Sequence, residues 1–120
     1  MQLRALRGAI LCKGNSKEEI AERSSQLLRE MLERNDIKHE DIMDIIFTAT
    51  KDLTAEFPAA AARNIGLTHV PLLCARELDI DDSPQRCVRV LMHFYTRKHP
   101  HELRHPYLEG ARQLRTDLPE

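Results

Sequence analysis

The most strand-like segment of this chain carries a fixed positive charge at its centre. Cys87-Val88-Arg89-Val90-Leu91-Met92 is apolar except for Arg89. A guanidinium stays charged at any pH at which a protein survives. Burying it without a partner is costly, so the fold must supply an anion or leave a place for one. No acid is adjacent, so the partner comes from a distant part of the chain or from a ligand. A structural ion pair, or an arginine snorkelling to the surface, would satisfy the same constraint.

With 120 residues, the chain is expected to form one domain over residues 1–120. Hydrophobic residues make up 42% and aromatics 4%, with no Trp, so the core must be aliphatic. A net charge of −1 and a pI near 6.6 lack the basic footprint of a nucleic-acid binder. No apolar run is long enough to span a bilayer, and Met1–Arg7 has no signal-peptide core, so neither a membrane nor export is expected. The three cysteines, Cys12, Cys74 and Cys87, are odd in number and lack CxxC spacing. That fits free thiols in a reducing cytoplasm.

Residues 2–12 read as a strand with Gly8 at its centre, a sign of a bulge or of close approach by another group. Ser16-Lys17-Glu18-Glu19 is a capping box. It opens a helix whose apolar stripe runs Ile20, Ser24, Leu27, Leu28, Met31 and Leu32. Asn35-Asp36 ends it, and residues 42–50 read as a buried strand. Phe57-Pro58-Ala59 opens a second helix with Pro58 in its first turn and Gly66 as its cap. Residues 69–74 form the next strand, and Pro71 puts it at an edge or a bulge. Residues 86–96 and then 107–114 complete the strands. The order β-α-β-α-β-β-β describes an α+β domain with helices on one face of a mixed sheet.

Four arginines, Arg7, Arg63, Arg89 and Arg115, stand in or beside apolar segments. Each alone is unremarkable on a surface. Together they point to a site for a small polyanion, because guanidinium forks match carboxylates. Glu77 can anchor an arginine, accept from a hydroxyl, or sit in water. Only His99 and His101 are close among the clustered histidines, and no Cys or acid completes a metal-ligand pattern. Neither Cys74 nor Cys87 has an identifiable base, so a buried thiol is the plainer reading. There is no Gly-rich phosphate loop and no serine nucleophile elbow.

The chain resembles the AroH-class chorismate mutases, small monofunctional enzymes that form homotrimers. The resemblance rests on Leu6-Arg7-Gly8-Ala9, on Ala49-Thr50-Lys51-Asp52-Leu53 running into Phe57-Pro58-Ala59, and on Ala61 and Arg63. It continues through Val70-Pro71, Cys74, Glu77 and Asp79, Cys87-Val88-Arg89-Val90, Arg104-His105-Pro106-Tyr107-Leu108-Glu109, and Leu114-Arg115 with Asp117-Leu118. It implies a ferredoxin-like, pseudo-α/β-barrel trimer. It also implies conversion of chorismate to prephenate by a pericyclic shift, without cofactor or metal, in aromatic amino-acid biosynthesis.

The resemblance assigns roles by position. Arg89 donates to the ether oxygen on which charge develops. Arg7 binds a carboxylate and touches the reacting arm. Glu77 accepts from the ring hydroxyl near the developing positive ring. Tyr107 donates to a carboxylate, while Cys74 and the backbone around Leu73 line the ring side. Phe57, Ala59 and Arg63 belong to the wall given by the neighbouring subunit, and Leu114 and Arg115 to a segment that closes over the site. The chain departs from the family pattern at Ala60, where a Lys is common, at Leu73, where a polar residue is common, at Pro106, which biases His105 toward extended backbone, and at Gly110-Ala111-Arg112, which replaces a more β-branched stretch and weakens the last strand. Two rivals remain, an imine-deaminase-like trimer and a non-catalytic trimer that binds small carboxylates.

Overall fold

The computed structural model describes residues 1–114 and Pro119. Strand β1 (Gln2–Leu11) is followed by helix α1 (Lys17–Arg34), β2 (Ile42–Ala49), the short α2 (Ala60–Asn64), β3 (Leu72–Arg76), β4 (Cys87–Thr96) and β5 (Tyr107–Leu108). The strand order is β3-β2-β4-β1-β5. β4 pairs antiparallel with β1 and β2, whereas β2–β3 and β1–β5 are parallel, so the sheet is mixed. The α+β architecture expected from the sequence is the one observed.

Alternation sorts the side chains of the long strands between two faces. Leu6 and Ile10 of β1, Val88, Val90, Met92 and Phe94 of β4, and Ile45 and Phe47 of β2 form one apolar layer, in which two phenylalanines join the aliphatic side chains expected. Helix α1 lays Ile20, Leu27, Leu28 and Met31 on it, and Ala61 and Ala62 of α2 join the same core. Both helices thus sit on one face. At the start of α1 the Ser16 hydroxyl accepts from the Glu19 amide at 3.0 Å. The Glu19 carboxylate reaches back as expected, but to the Lys13 amide at 2.8 Å, beyond Ser16.

Gly8 takes the close-approach option. The β1–β4 register is unbroken through it. A Cβ there would lie 2.9 Å from Met31 Sδ and 3.2 Å from Pro106 O. α2 ends where Gly66 adopts φ +88, with Leu67 N bonded back to Ala62 O at 2.8 Å. The Phe57–Ala59 stretch is a turn ahead of α2, so the second helix starts later than the sequence suggests. β3 lies at an edge, but it runs from Leu72 to Arg76, after Pro71 and later than the expected 69–74, because proline cannot donate to a ladder.

One element is corrected. Residues 107–114 do not form one strand: only Tyr107 and Leu108 pair, and Ala111–Leu114 is a 3-10 turn. Glu109 and Gly110 adopt φ 50 and φ 90, and two successive left-handed residues end any strand.

The second sheet face carries no α-helix among the described residues. One end is covered by a small cluster of Ala9, Cys87, Tyr107 and Ala111, with Leu11 and Leu114 against it. Farther along, Leu3 and Tyr95 face each other across β1 and β4, 43% and 42% exposed. His93 Nδ1 lies 2.7 Å from Asp44 Oδ1 on the same face.

Gly8→Ala should destabilise the fold by about 1–3 kcal/mol, the usual cost of overpacking. A denaturant midpoint equal to wild type would show that this helix–sheet contact is not tight.

Candidate active site

The open face becomes concave where β1, β4 and β5 meet the end of β3. Arg7, Gly8, Ile46, Thr48, Glu77, Arg89, Val90, Leu91 and Tyr107 line a cavity of about 430 Å³. That lies within the range of small-molecule sites, roughly 300–1,000 Å³. Each polar member arrives there for a structural reason. Arg89 stands opposite Ala9 on one side and Thr48 on the other, in the central strand. Glu77 follows β3 directly, and its amide bonds Ala49 O at 3.0 Å. Tyr107 is brought alongside Ala9 by the short parallel β5 pairing, and it is buried.

The partner demanded by Arg89 is Glu77, whose Oε2 lies 3.1 Å from Arg89 Nε. The Thr48 hydroxyl donates to the same oxygen. The Arg89–Glu77 contact is an ion pair without a well-aimed hydrogen bond: Arg89 Nε is buried, and its N–H has no acceptor among the described residues. Arg7 is exposed, and no carboxylate pairs with its guanidinium among the described residues. The site therefore presents two cations, one carboxylate and one phenol toward a common space, and positive charge exceeds negative.

Cys87 lies next to Arg89 but is not equipped as a nucleophile. Burial pushes its thiol up to about 11, against the opposing pull of Arg89. Burial does the same to Cys12, assisted by Glu19, also to about 11. The third thiol, Cys74, packs against the helix-side core and lines a separate cavity of about 350 Å³ with Phe57, Pro58 and Arg76. Among the described residues, no three or more His, Cys, Asp or Glu side chains converge as a metal would require.

The structure thus brings together Arg7, Glu77, Arg89 and Tyr107. Within one chain it does not bring Phe57, Ala59, Arg63 or Cys74 to them. Phe57 is 68% and Leu73 60% exposed, and Arg63 is exposed on α2. Leu114 packs on the cluster beside Tyr107. Arg115 lies outside the described residues. Sequence reasoning missed Thr48, which holds the Glu77 carboxylate. Its only signal is a hydroxyl in an apolar strand, and threonine is too common in strands for that to point anywhere.

A mixed sheet with helices on one face and an arginine-rich, carboxylate-bearing cavity on the other defines a small-anion enzyme of the α+β class. The sequence matches the family chorismate mutase type I over residues 3–118, and the chain belongs to that family. It is 39% identical to Chorismate mutase AroH of Bacillus subtilis (strain 168) across 98% of this chain and 94% of that one. It is 44% identical to Chorismate mutase AroH of Thermus thermophilus across 97% and 96%. A solved chorismate mutase from Clostridium thermocellum superposes with a TM-score of 0.90 at 45% identity, covering 92% of this chain and 98% of that one.

Burial and the raised thiols yield a labelling pattern. In native protein at pH 8, a thiol reagent should leave Cys12 and Cys87 unmodified, and both should react after denaturation. Rapid native labelling of Cys87, mapped by mass spectrometry, would contradict the packing beside Arg89.

Proposed function

We propose that this cavity binds chorismate and rearranges it to prephenate through Arg89, Glu77 and Arg7. The observation that carries the reading is the cavity lined jointly by Arg7, Glu77, Arg89 and Tyr107, in which Glu77 holds Arg89 through Nε at 3.1 Å. Chorismate carries two carboxylates, which suit the excess of cations. In its rearrangement the ether bond breaks ahead of carbon–carbon bond formation. Negative charge then gathers on the ether oxygen and positive charge on the ring.

Arg89 donates to the ether oxygen as that charge grows. A preorganised cation favours the transition state over the ground state, and that difference is what accelerates the reaction. Glu77 holds Arg89 from one side, accepts from the ring hydroxyl and lies near the developing positive ring. Thr48 keeps its carboxylate in place. Arg7 and Tyr107 hold substrate carboxylates and fold the enolpyruvyl arm over the ring, an orientation effect. No proton transfer or covalent intermediate is needed.

The working unit is a homotrimer in the cytoplasm. The sheet face without an α-helix, with Leu3, Tyr95 and the Asp44–His93 pair, is the surface that the trimer buries. Phe57, Ala59 and Arg63 complete the cavity of the neighbouring subunit, consistent with the exposure of Phe57 and Arg63 and with none of the three lining the Arg89 cavity within one chain. Cys74, which shares a separate cavity with Phe57 within one chain, lines the ring side of the neighbouring subunit's site together with the Leu73 backbone, and Leu114 with Arg115 closes the site. Ala60 leaves one fewer cation at the mouth than a lysine would give, so steering of the dianion is weaker.

Arg89→Lys should lose at least about 10²-fold in chorismate turnover while its unfolding curve stays that of wild type, because an ammonium cannot reproduce the fork. Near-normal turnover would remove Arg89 from the assigned role. The trimer has its own test. Activity per chain should fall together with sedimentation-defined trimer on dilution, and activity that persists in monomer would sink the shared-site reading.

A further inference from the structure

We propose that His105 is a positioning residue for Arg7, its imidazole taking the hydrogen bond that strand pairing cannot supply at the residue carrying the cation. This rests on the reading above, in which Arg7 holds the substrate. β1 is fully paired with β4 on its inner side, but on its outer side β5 meets it only at Ala9 and Ile10. The Arg7 amide lies just before that pairing begins. It donates to His105 Nδ1 at 3.0 Å. The imidazole thus replaces a strand carbonyl at the sheet edge.

The ring is held there by its own backbone. Asn35, buried at the end of α1, accepts from Arg104 N at 2.7 Å and donates to Arg104 O at 2.8 Å. On the other side, Pro106 O accepts from Ala9 N at 3.0 Å. Between them, His105 N donates to Pro119 O at 2.7 Å. Proline at 106 also confines His105 to extended backbone. A residue clamped this way delivers its Nδ1 to one place. A nitrogen that accepts from an amide carries no proton, so the ring is the tautomer protonated at Nε2.

The consequence for the reaction is geometric. Arg7 reaches the cavity from a strand position that has no outer strand partner. Without the imidazole its amide loses its acceptor and the edge is free to shift. A displacement of about 1 Å at a substrate-holding group can cost up to about 10²-fold in rate. A leucine at 105 removes the acceptor, whereas an asparagine can place an oxygen close to where Nδ1 lies.

The test measures kcat/KM for chorismate in His105→Leu, His105→Asn, Arg7→Ala and the double variant Arg7→Ala/His105→Leu. His105→Leu should lose about 10- to 100-fold. His105→Asn should recover most of that loss. In the Arg7→Ala background His105→Leu should cost nothing further, because residues acting as one unit are not additive. Losses that multiply in the double variant, a failed asparagine rescue, or wild-type activity in His105→Leu would each overturn the proposal. Should His105→Leu fail to fold, the imidazole nitrogen-15 shifts of wild type decide: protonated Nε2 with bare Nδ1 supports it, and the reverse overturns it. Unimpaired Arg7→Ala would instead sink the underlying site reading.

Discussion

The charge of Arg89 in the central strand is the constraint around which the rest of the site is arranged. The strand must be apolar on its helix-facing side to build the core, and Val88, Val90, Met92 and Phe94 meet that need. The other side therefore holds any charge the strand contains, and the sheet must offer that charge a counter-ion. β3 ends at Arg76, two strands away, so Glu77 leaves the edge in time to turn toward Arg89. The pair is neither fully buried nor fully wet, with side chains 33% and 19% exposed. That intermediate state suits a working group: its field is not lost to water, and the ion pair does not use up its donors.

The same layering explains why one face of the sheet has no α-helix among the described residues. Helices on both faces would bury Arg89, Arg7 and Glu77 against apolar side chains with no room for an anion. Instead, a small cluster around Tyr107 covers only one end, and the remainder stays open for assembly and ligand. Family membership fits this economy, and the proposed trimer would let the chain complete its site with a neighbour's wall.

Much of this was legible in the residues. The apolar periods located β1, α1 and β4, and Pro71 pointed to an edge or a bulge for the segment that forms β3, which starts just after it. Arg89 announced a site because its charge had no local partner. That Glu77 would be the partner was not legible from spacing, since contacts between distant segments depend on strand order. The short β5 was also hidden. Gly110-Ala111-Arg112 marked residues 107–114 as a weak strand, but the left-handed backbone of Glu109 that ends it is demanded by no composition rule. Thr48 and His105 escaped because their roles are single hydrogen bonds to groups far away in the chain. Family resemblance supplied the reaction, which periodicity and spacing alone could not have named.

The most direct test is the rate at saturating chorismate, followed by the loss of its absorbance, for wild type and Arg89→Ala at equal protein concentration. If Arg89 acts on charge that appears only in the transition state, wild type forms prephenate and the variant loses at least about 10²–10³-fold in kcat itself. A variant that keeps its kcat and changes only KM would mean that Arg89 merely holds the substrate, and would contradict the account.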